Sequence, residues 1–296
     1  MEIIKVDHIT KDYGNGKGVF DVSFSVRHGE VMGFLGPNGA GKTTTIRQLM
    51  GFIRPDSGEV SILGMDCFAD AAAIAPKLGY LPGEIAFIEN MRGLEFIRFI
   101  AKMKKLRDLT RAEELMERFR LDPRGKIRKM SKGMKQKIGI VCCFMQDPDF
   151  YILDEPTGGL DPLMQNTFID LILEEKAKGK TILMSSHLSE EVERTCDRTA
   201  MIREGKLVAV EDMASLRQNR NPLTEVKFLR IADAAAFAGA HLGAVQKGNA
   251  VTLHVTGGMD GFIKELGKYG VEDLEMKAQS LEELFMHYYG EEAAHE

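Results

Sequence analysis

The chain has 296 residues and a net charge of −5, and 44% of its residues are hydrophobic. This is the composition of an ordinary globular protein, long enough for one large domain or a domain and a half. The acidic balance argues against a dedicated nucleic-acid binder, which would normally carry a basic face.

Short β-branched runs alternate with helical patterns along the first two thirds of the chain, which predicts an α/β domain. Helices are expected at residues 44–50, 92–104 and 110–119. In the last of these, Thr110 followed by Glu113 fits a capping box. Strands are expected at residues 2–6, 19–26, 30–35, 150–153 and 181–184.

Residues 36–43 fit the phosphate-binding pattern G-x-x-x-x-G-K-[ST], between a predicted strand and a predicted helix. Glycines let successive backbone N–H groups face one anion, and the positive end of the helix dipole adds to the attraction. Lys42 would supply a charge to the β and γ phosphates, and the Thr43 hydroxyl a ligand to Mg²⁺. For the motif alone, the alternative is a glycine-rich turn without a ligand. The candidate nucleotide-binding residues are Gly36, Pro37, Asn38, Gly39, Ala40, Gly41, Lys42, Thr43 and Thr44.

Two carboxylates, Asp154 and Glu155, follow the apolar strand predicted at 150–153. Ligands of an open parallel sheet bind at the carboxyl ends of its strands, where these side chains would meet the phosphate loop. Asp154 could hold Mg²⁺ directly or through water. Glu155 would face the γ-phosphate and serve as general base. A surface turn with two acidic residues is the alternative.

A polar stretch that ends at Pro222 predicts a domain boundary, with domains at residues 1–218 and 219–296. The second domain is expected to be a small α+β unit with strands at 225–229, 250–255 and 272–276 and helices at 233–241, 260–269 and 280–289. Its histidines, which are far apart in sequence, are interpreted as solvated or packed rather than as metal ligands; they are His241, His254 and His287. Three apolar residues of the last helix could strengthen a dimer or close the unit's own core: Leu281, Leu284 and Phe285.

Four further motifs, in the correct order over residues 1–215, make the chain resemble the ATP-binding cassette (ABC) family. Residues 130–134, Met-Ser-Lys-Gly-Met, resemble the family's signature motif Leu-Ser-Gly-Gly-Gln. Residues 158–161 resemble its D-loop, which ends in Asp161, and residues 185–187 resemble the segment that carries its switch histidine, His187. Tyr13 stands where the family places an aromatic residue that stacks on adenine.

The resemblance implies a P-loop NTPase fold with a mixed sheet core and a helical subdomain at about residues 84–146. ATP and Mg²⁺ would be its cofactors, and Glu155 and His187 its catalytic residues. It also implies a homodimer that pairs head to tail, with Ser131, Gly133 and Asp161 serving the ATP of the second copy. Taken alone, Ser131 would be an ordinary helix N-cap.

The chain departs from the family pattern in two motifs. Many relatives have a glutamine after the strand that ends near Leu81, where this chain has Gly83 followed by Glu84. The contact that the glutamine makes with Mg²⁺ must therefore be lost, supplied by water or made by Glu84. In the signature, Lys132 and Met134 replace glycine and glutamine. Ser131 and Gly133, which lie closest to the phosphate in the family, are retained.

The combined pattern predicts the ATP-hydrolysing motor of a membrane exporter whose permease subunits are a separate chain. The longest apolar run, residues 138–145, is far shorter than the roughly 20 residues of a spanning helix, and residues 1–6 do not resemble a secretory signal. We therefore expect a cytoplasmic protein bound peripherally to the cytoplasmic face of the cell membrane, with no nucleic-acid partner. Four residues could dock the permease or pack inside the helical subdomain: Ile85, Phe87, Ile88 and Met91.

Two alternatives remain at this stage. One is a soluble ATPase of the same family acting in translation or DNA maintenance, although such relatives typically carry two cassettes or a long coiled-coil insertion. The other is a cassette that binds ATP without hydrolysing it, which the presence of both Glu155 and His187 disfavours. The transported substrate is not encoded in this chain, because it would contact the membrane subunits.

Overall fold

The computed structural model describes residues 1–218, 223–255 and 258–277. The chain divides into two compact units, Met1–Met213 and Ala214–Glu296. The predicted organisation, with its boundary after residue 218, stays a prediction. The helix predicted at 280–289, His287 and the apolar residues Leu281, Leu284 and Phe285 lie outside the described residues.

The first unit contains two sheets flanked by helices. Its strands are β1 (Glu2–Asp12), β2 (Gly18–Arg27), β3 (Val31–Leu35), β4 (Ser57–Ile62), β5 (Met65–Asp66), β6 (Leu78–Leu81), β7 (Phe150–Asp154), β8 (Thr181–Ser186), β9 (Arg198–Arg203) and β10 (Lys206–Asp212). Its helices are α1 (Lys42–Leu49), α2 (Ala71–Ile74), α3 (Gly93–Met103), α4 (Thr110–Arg118), α5 (Lys132–Phe144), α6 (Pro162–Ala177) and α7 (Ser189–Thr195); α8 (Met213–Gln218) lies at the division between the units.

The larger sheet has the order β10-β9-β3-β8-β7-β6, and it is parallel except for β10. Every residue of β3, β7 and β8 is buried, because helices cover a parallel sheet on both faces. The register places Leu35 beside Ser186 and Asp154 beside Ser185. The segments that follow these strands therefore leave the sheet at one edge.

The smaller sheet has the order β2-β1-β4-β5 and is antiparallel. Its buried residues share one hydrophobic core with the larger sheet, in which Ile9, Val22, Phe34 and Leu183 are fully or almost fully buried. Strands β1 and β2 extend beyond the predicted ranges, with pairing that reaches Asp12 and Gly18. The extension was not predicted because polar residues there interrupt the apolar alternation.

The predicted helical subdomain contains α3, α4 and α5. The expected capping box at Thr110 is wrong, because α4 follows Leu109 and Thr110 binds backward to Asp108. The Thr110 N–H and hydroxyl donate to Asp108 Oδ1 at 2.9 and 2.7 Å. The charged carboxylate is a stronger acceptor for both donors than a neutral group would be.

The second unit contains β11 (Leu223–Phe228), α9 (Ile231–Ala240), β12 (Val245–Lys247), β13 (Ala250–His254), α10 (Met259–Leu266) and β14 (Val271–Lys277). The strand order β12-β13-β11-β14 with antiparallel pairing is the ferredoxin-like βαββαβ arrangement. Its core packs Val226, Phe228, Phe237 and Phe262. The sequence does not predict β12, since this edge strand has three residues, all exposed, and no apolar alternation.

Candidate nucleotide-binding and hydrolysis site

The phosphate loop connects β3 to α1 at the carboxyl edge of the larger sheet. At Gly36 an added Cβ would lie 2.3 Å from the carbonyl oxygen of Ile202, so the loop runs too close to β9 for a side chain. Gly41 immediately precedes α1 with φ of 110°, a left-handed conformation that favours glycine. The chain thus fixes the backbone that directs the first N–H groups of α1 toward the loop.

Lys42 is the first residue of α1, and only 5% of its side chain is exposed. Its Nζ donates to the carbonyl oxygens of Gly36 and Pro37 at 2.6 and 3.1 Å. The same ammonium lies 3.1 Å from Glu155 Oε1. A buried ammonium needs such partners, since an unpaired charge away from water is costly. These contacts hold the charge of Lys42 between the loop and the end of β7.

Asp154, at the end of β7, is 1% exposed and accepts two hydroxyl hydrogen bonds. Thr43 Oγ1 donates to its Oδ2 at 2.9 Å, and Ser185 Oγ to its Oδ1 at 2.6 Å. A hydroxyl and a carboxylate are hard oxygen ligands of the kind that Mg²⁺ prefers. Among the described residues, no group of three His, Cys, Asp or Glu could hold a metal ion by itself. Mg²⁺ at this pair would take further oxygens from water or phosphate.

Glu155 and His187 meet where β7 and β8 end. His187 Nδ1 lies 2.6 Å from Glu155 Oε2, and the two side chains are 44% and 25% exposed, respectively. Glu155 has φ of 47°, and its backbone N–H donates to Ser185 Oγ at 3.0 Å. The left-handed backbone turns the chain immediately after Asp154. The two adjacent carboxylates consequently have different partners. Asp154 is buried and accepts hydrogen bonds from two hydroxyls, whereas Glu155 contacts Lys42 and His187.

A cavity of about 780 Å³ opens over the phosphate loop. Tyr13, 55% exposed, lines it together with the loop and Glu155. The sequence did not identify the other lining residues on β1–β2 and β9–β10, since their charges and aromatic rings follow no motif: Lys17, Phe20, Glu204 and Lys206. Hence the structure brings Tyr13, Lys42, Thr43 and Glu155 to one cavity.

Several predicted site residues do not line this cavity: Gly36, Pro37, Ala40, Ser131, Gly133, Asp154, Asp161 and His187. Of these, Asp154 and His187 lie beside lining residues, since Asp154 is hydrogen-bonded to Thr43 and His187 to Glu155. Ser131 is exposed and caps α5, with its Oγ accepting from the Met134 N–H at 3.2 Å, while its predicted contact with the ATP of a second copy stays a prediction. Asp161 caps α6 in the same manner, accepting from the Met164 N–H at 3.0 Å. Gly133 packs against residue 159, where a Cβ would lie 2.6 Å from the Gly159 carbonyl oxygen. The signature and the D-loop are therefore neighbours of each other.

Gln136 is a buried polar residue of α5 that the sequence did not indicate as part of the site. Its Nε2 donates to the Pro156 carbonyl oxygen at 2.7 Å, directly after Glu155 in the chain. A glutamine on the buried face of a helix is the available signal, since buried polar groups almost always have hydrogen-bond partners. The sequence pattern does not show which residue accepts the hydrogen bond of Gln136.

Gly83 passes close to the metal-ligand candidate, Asp154. An added Cβ at Gly83 would lie 3.2 Å from Asp154 Oδ2, which is tighter than ordinary van der Waals contact. Glu84, the next residue, is exposed and lines a different cavity. The position that carries glutamine in many relatives is thus a close backbone approach in this chain.

That second cavity, of about 630 Å³, is a largely apolar groove, and its lining residues lie between residues 47 and 146 of the first unit. Of the predicted docking residues, Ile85 lines it. Phe87 instead packs against Phe96, with ring centroids 5.0 Å apart. Ile88 is 45% exposed, and Met91 is partly buried. Phe52 lines the groove and is 60% exposed.

A family model described as "ABC transporter" matches residues 19–158. The linearmycin resistance ATP-binding protein of Bacillus subtilis is 37% identical over 213 residues, which cover 70% of this chain and 68% of that relative. The bacitracin transport ATP-binding protein of Bacillus licheniformis is 38% identical over 209 residues, which cover 70% and 68%. The Nod factor export ATP-binding protein I of Burkholderia orbicola is 36% identical over 219 residues, which cover 71% of each chain.

Solved structures show the same likeness. An ATP-binding subunit of an ABC transporter is 33% identical with a TM-score of 0.65, over 73% of this chain and 92% of that chain. A dimeric ATP-binding cassette bound to ADP and phosphate is 21% identical with a TM-score of 0.64, over 71% and 99%. The second match is one of fold.

Proposed function

The chain belongs to the ABC transporter family, and from this premise we propose that it is the ATP-hydrolysing motor of a membrane exporter. The family model, the similar ATP-binding proteins and the similar solved structure confirm the fold and the family that the sequence predicts. The observation that carries the mechanism is that Glu155 contacts both the Lys42 ammonium, at 3.1 Å, and His187, at 2.6 Å. These groups belong to three separate segments of the chain.

In the proposed reaction, the N–H groups of residues 39–44 and the Lys42 ammonium bind the phosphates of ATP. Thr43 and Asp154 would hold Mg²⁺, which would supply positive charge to neutralise the negative charge that develops on the phosphates. Glu155 accepts the proton of the attacking water. His187 is hydrogen-bonded to the Glu155 carboxylate. It orients this carboxylate and contacts the γ-phosphate. Tyr13 stacks on the base.

We propose that a second copy of the chain completes the site. Ser131 and Gly133 lie at an exposed helix end, apart from the phosphate cavity of their own chain. A helix N-terminus attracts anions through its N–H groups and dipole. In a head-to-tail pair, this end would contact the γ-phosphate of ATP bound by the other copy, and Asp161 would lie at the same interface.

The permease is proposed to dock in the apolar groove beside Gly83. This groove lies next to the loop that approaches Asp154, so a docked segment would contact the same loop as the metal-ligand pair. None of the helices in the described parts of the chain has both the length and the apolar character needed to cross a membrane. Relatives are named for linearmycin resistance, bacitracin transport and Nod factor export, which favours export as the direction.

A residue of the groove gives a sharper test of docking than Phe87 does. Phe87 packs on Phe96 and so supports the helical subdomain, which a substitution there would also disturb. We expect Phe52→Asp to abolish transport in cells while the purified chain keeps its ATPase activity within about twofold. Phe68→Asp is the matched control, since Phe68 is also exposed at 43% but is not among the residues that line the groove. Equal transport by the two variants would contradict docking in this groove.

The proposed function is tested by affinity purification of tagged Glu155→Gln chain from detergent-solubilised native membranes with ATP and Mg²⁺. Recovery of a multi-spanning protein in equimolar amount supports the transporter motor. Recovery of ribosomes or DNA-maintenance factors would support the alternative of a soluble ATPase, which no observation on the described residues favours.

A further inference from the structure

Glu191, on α7, is a buried carboxylate that the proposed reaction does not use. It is 5% exposed, and each of its oxygens accepts a side-chain hydrogen bond. The Thr157 hydroxyl donates to Oε1, and the Ser186 hydroxyl to Oε2 at 2.9 Å. Both contacts are enclosed by protein.

The Thr157 hydroxyl lies on the loop that carries Glu155, and the Ser186 hydroxyl lies at the end of β8, where the loop that carries His187 begins. Thr157 is the second residue after Glu155, and Ser186 immediately precedes His187. Strands β7 and β8 are neighbours in the sheet, but their pairing ends at Asp154 and Ser185. Beyond that point, the Glu191 carboxylate connects the two loops by side-chain hydrogen bonds.

Burying a carboxylate costs free energy that burying an apolar side chain does not. Burial raises the pKa of Glu191, and the hydrogen bonds from Thr157 and Ser186 lower it in part. A buried polar group is tolerated when its hydrogen bonds are satisfied, whereas an apolar side chain of similar size would carry no such requirement. The position therefore suits a residue whose hydrogen bonds matter more than its volume.

The geometry that these bonds support is narrow. Glu155 and His187 are in hydrogen-bond contact at 2.6 Å, although they lie on separate loops. Displacing a reacting group by about 1 Å can lower a catalytic rate about 100-fold. Each loop has its own local bonds, such as Gly158 N–H to the Glu155 carbonyl oxygen at 3.1 Å. The Glu155 N–H also donates to Ser185 Oγ at 3.0 Å, which connects the start of one loop to β8. The two Glu191 bonds extend this connection to Thr157 and Ser186.

We propose that Glu191 is a positioning residue for ATP hydrolysis, whose carboxylate sets the separation of Glu155 and His187 by binding Thr157 and Ser186. This inference rests on the proposed function, because it assigns Glu191 a role in that same reaction. Glu191 acts through the two loops, and the phosphate loop and Lys42 belong to other segments. Its loss should therefore lower turnover and leave ATP affinity unchanged.

The test compares purified full-length variants for kcat, ATP affinity and thermal unfolding. Glu191→Leu removes both acceptors at similar volume, and we expect kcat to fall about 100-fold. Glu191→Gln should restore kcat to within about fivefold of the wild type, because an amide can accept from one hydroxyl and donate to the other. ATP affinity should stay within about twofold in both. Glu190→Gln is the matched control, since the neighbouring Glu190 side chain is 82% exposed and its variant should behave as the wild type.

Thr157→Val and Ser186→Ala keep the test independent of the stability of Glu191→Leu. Each removes one hydroxyl, and each should lower kcat about tenfold at unchanged ATP affinity. The double variant Thr157→Val/Glu191→Gln should be no slower than Thr157→Val by more than about twofold, since both changes act on one contact.

Some results would overturn the proposal. If ATP affinity, kcat and unfolding temperature fall together, and Glu191→Gln restores none of them, Glu191 is a packing residue. If wild-type turnover is abolished by Glu155→Gln but the Glu191 and Thr157 variants keep normal kcat, the inference fails and the proposed function stands. A wild-type chain without ATP turnover would overturn both.

Discussion

The N-terminus of α1 and the N-terminus of α5 are two helix ends of one chain with opposite settings. The first is preceded by Gly41, without a side-chain cap, and lies at a cavity that also contains Tyr13 and Glu155. The second begins after Ser131, whose hydroxyl accepts from the Met134 N–H at 3.2 Å, and it is exposed. The first end lies at the cavity, and the residues at the second end do not line it.

This difference affects what each helix end offers to an anion. At α1, leaving the N–H groups without a side-chain acceptor keeps them available to an anion. At α5, the serine cap satisfies one N–H, and the hydroxyl still has a proton to donate. Such an end is stable by itself and can add one donor to a phosphate presented by another molecule. The comparison predicts that substitutions at α1 affect ATP binding, whereas those at α5 affect association.

The largest effect is expected at Lys42. Lys42→Ala should weaken ATP binding by the isolated chain at least about 100-fold, which is about 2.7 kcal/mol, and abolish turnover. The substitution removes the ammonium that lies 3.1 Å from Glu155 Oε1. Calorimetric titration with ATP measures it. Lys132→Ala deletes the same charge at the exposed end of α5 and serves as control; equal losses in the two variants would break the comparison.

The next largest effect is expected for Glu155→Gln. Turnover should fall at least about 100-fold, since loss of a general base typically costs this much. ATP binding should persist, because the contacts of Lys42 with Gly36 and Pro37 remain. Phosphate release measures turnover, and size-exclusion chromatography with ATP should show a dimer accumulating. Near-normal turnover would instead indicate that Glu155 is not the base.

A smaller effect, confined to association, is expected for Ser131→Ala. ATP affinity of the dilute monomer should be unchanged, while ATP-dependent dimerisation weakens about tenfold through loss of one phosphate donor. Losing the cap also costs about 1 kcal/mol of helix stability. Ser131→Thr keeps a hydroxyl and should restore dimerisation, measured by analytical ultracentrifugation. A loss of ATP affinity in the monomer would place Ser131 in its own chain's site instead.

The smallest effect is expected for the charge of Lys132. This exposed lysine packs its stem on Gly159, beside the α5 end, and a nearby cation should favour an incoming triphosphate. Lys132→Ala should weaken dimerisation two- to threefold at low salt and have no effect at about 1 M salt, where charges are screened within about 3 Å. A salt-independent effect would assign the change to packing.

The parts of the site that could be predicted are those that depend on contiguous residues. The phosphate loop, the apolar strand before Asp154 and the Ser131 cap each combine a local motif with a local periodicity. The missed features involve residues far apart in the chain, such as Gln136 with Pro156. A local signal also failed at Thr110, where the charged neighbour Asp108 replaced the expected cap.

The amino-acid sequence predicts the α/β fold, the family and the phosphate-loop motif, because glycine spacing and buried strands constrain the backbone locally. Which polar groups meet inside the protein depends on the tertiary structure. It paired Thr157 with Glu191 across 34 residues and turned Phe87 toward Phe96. A buried polar side chain needs a hydrogen-bond partner, and strand order and packing determine which residue that partner is.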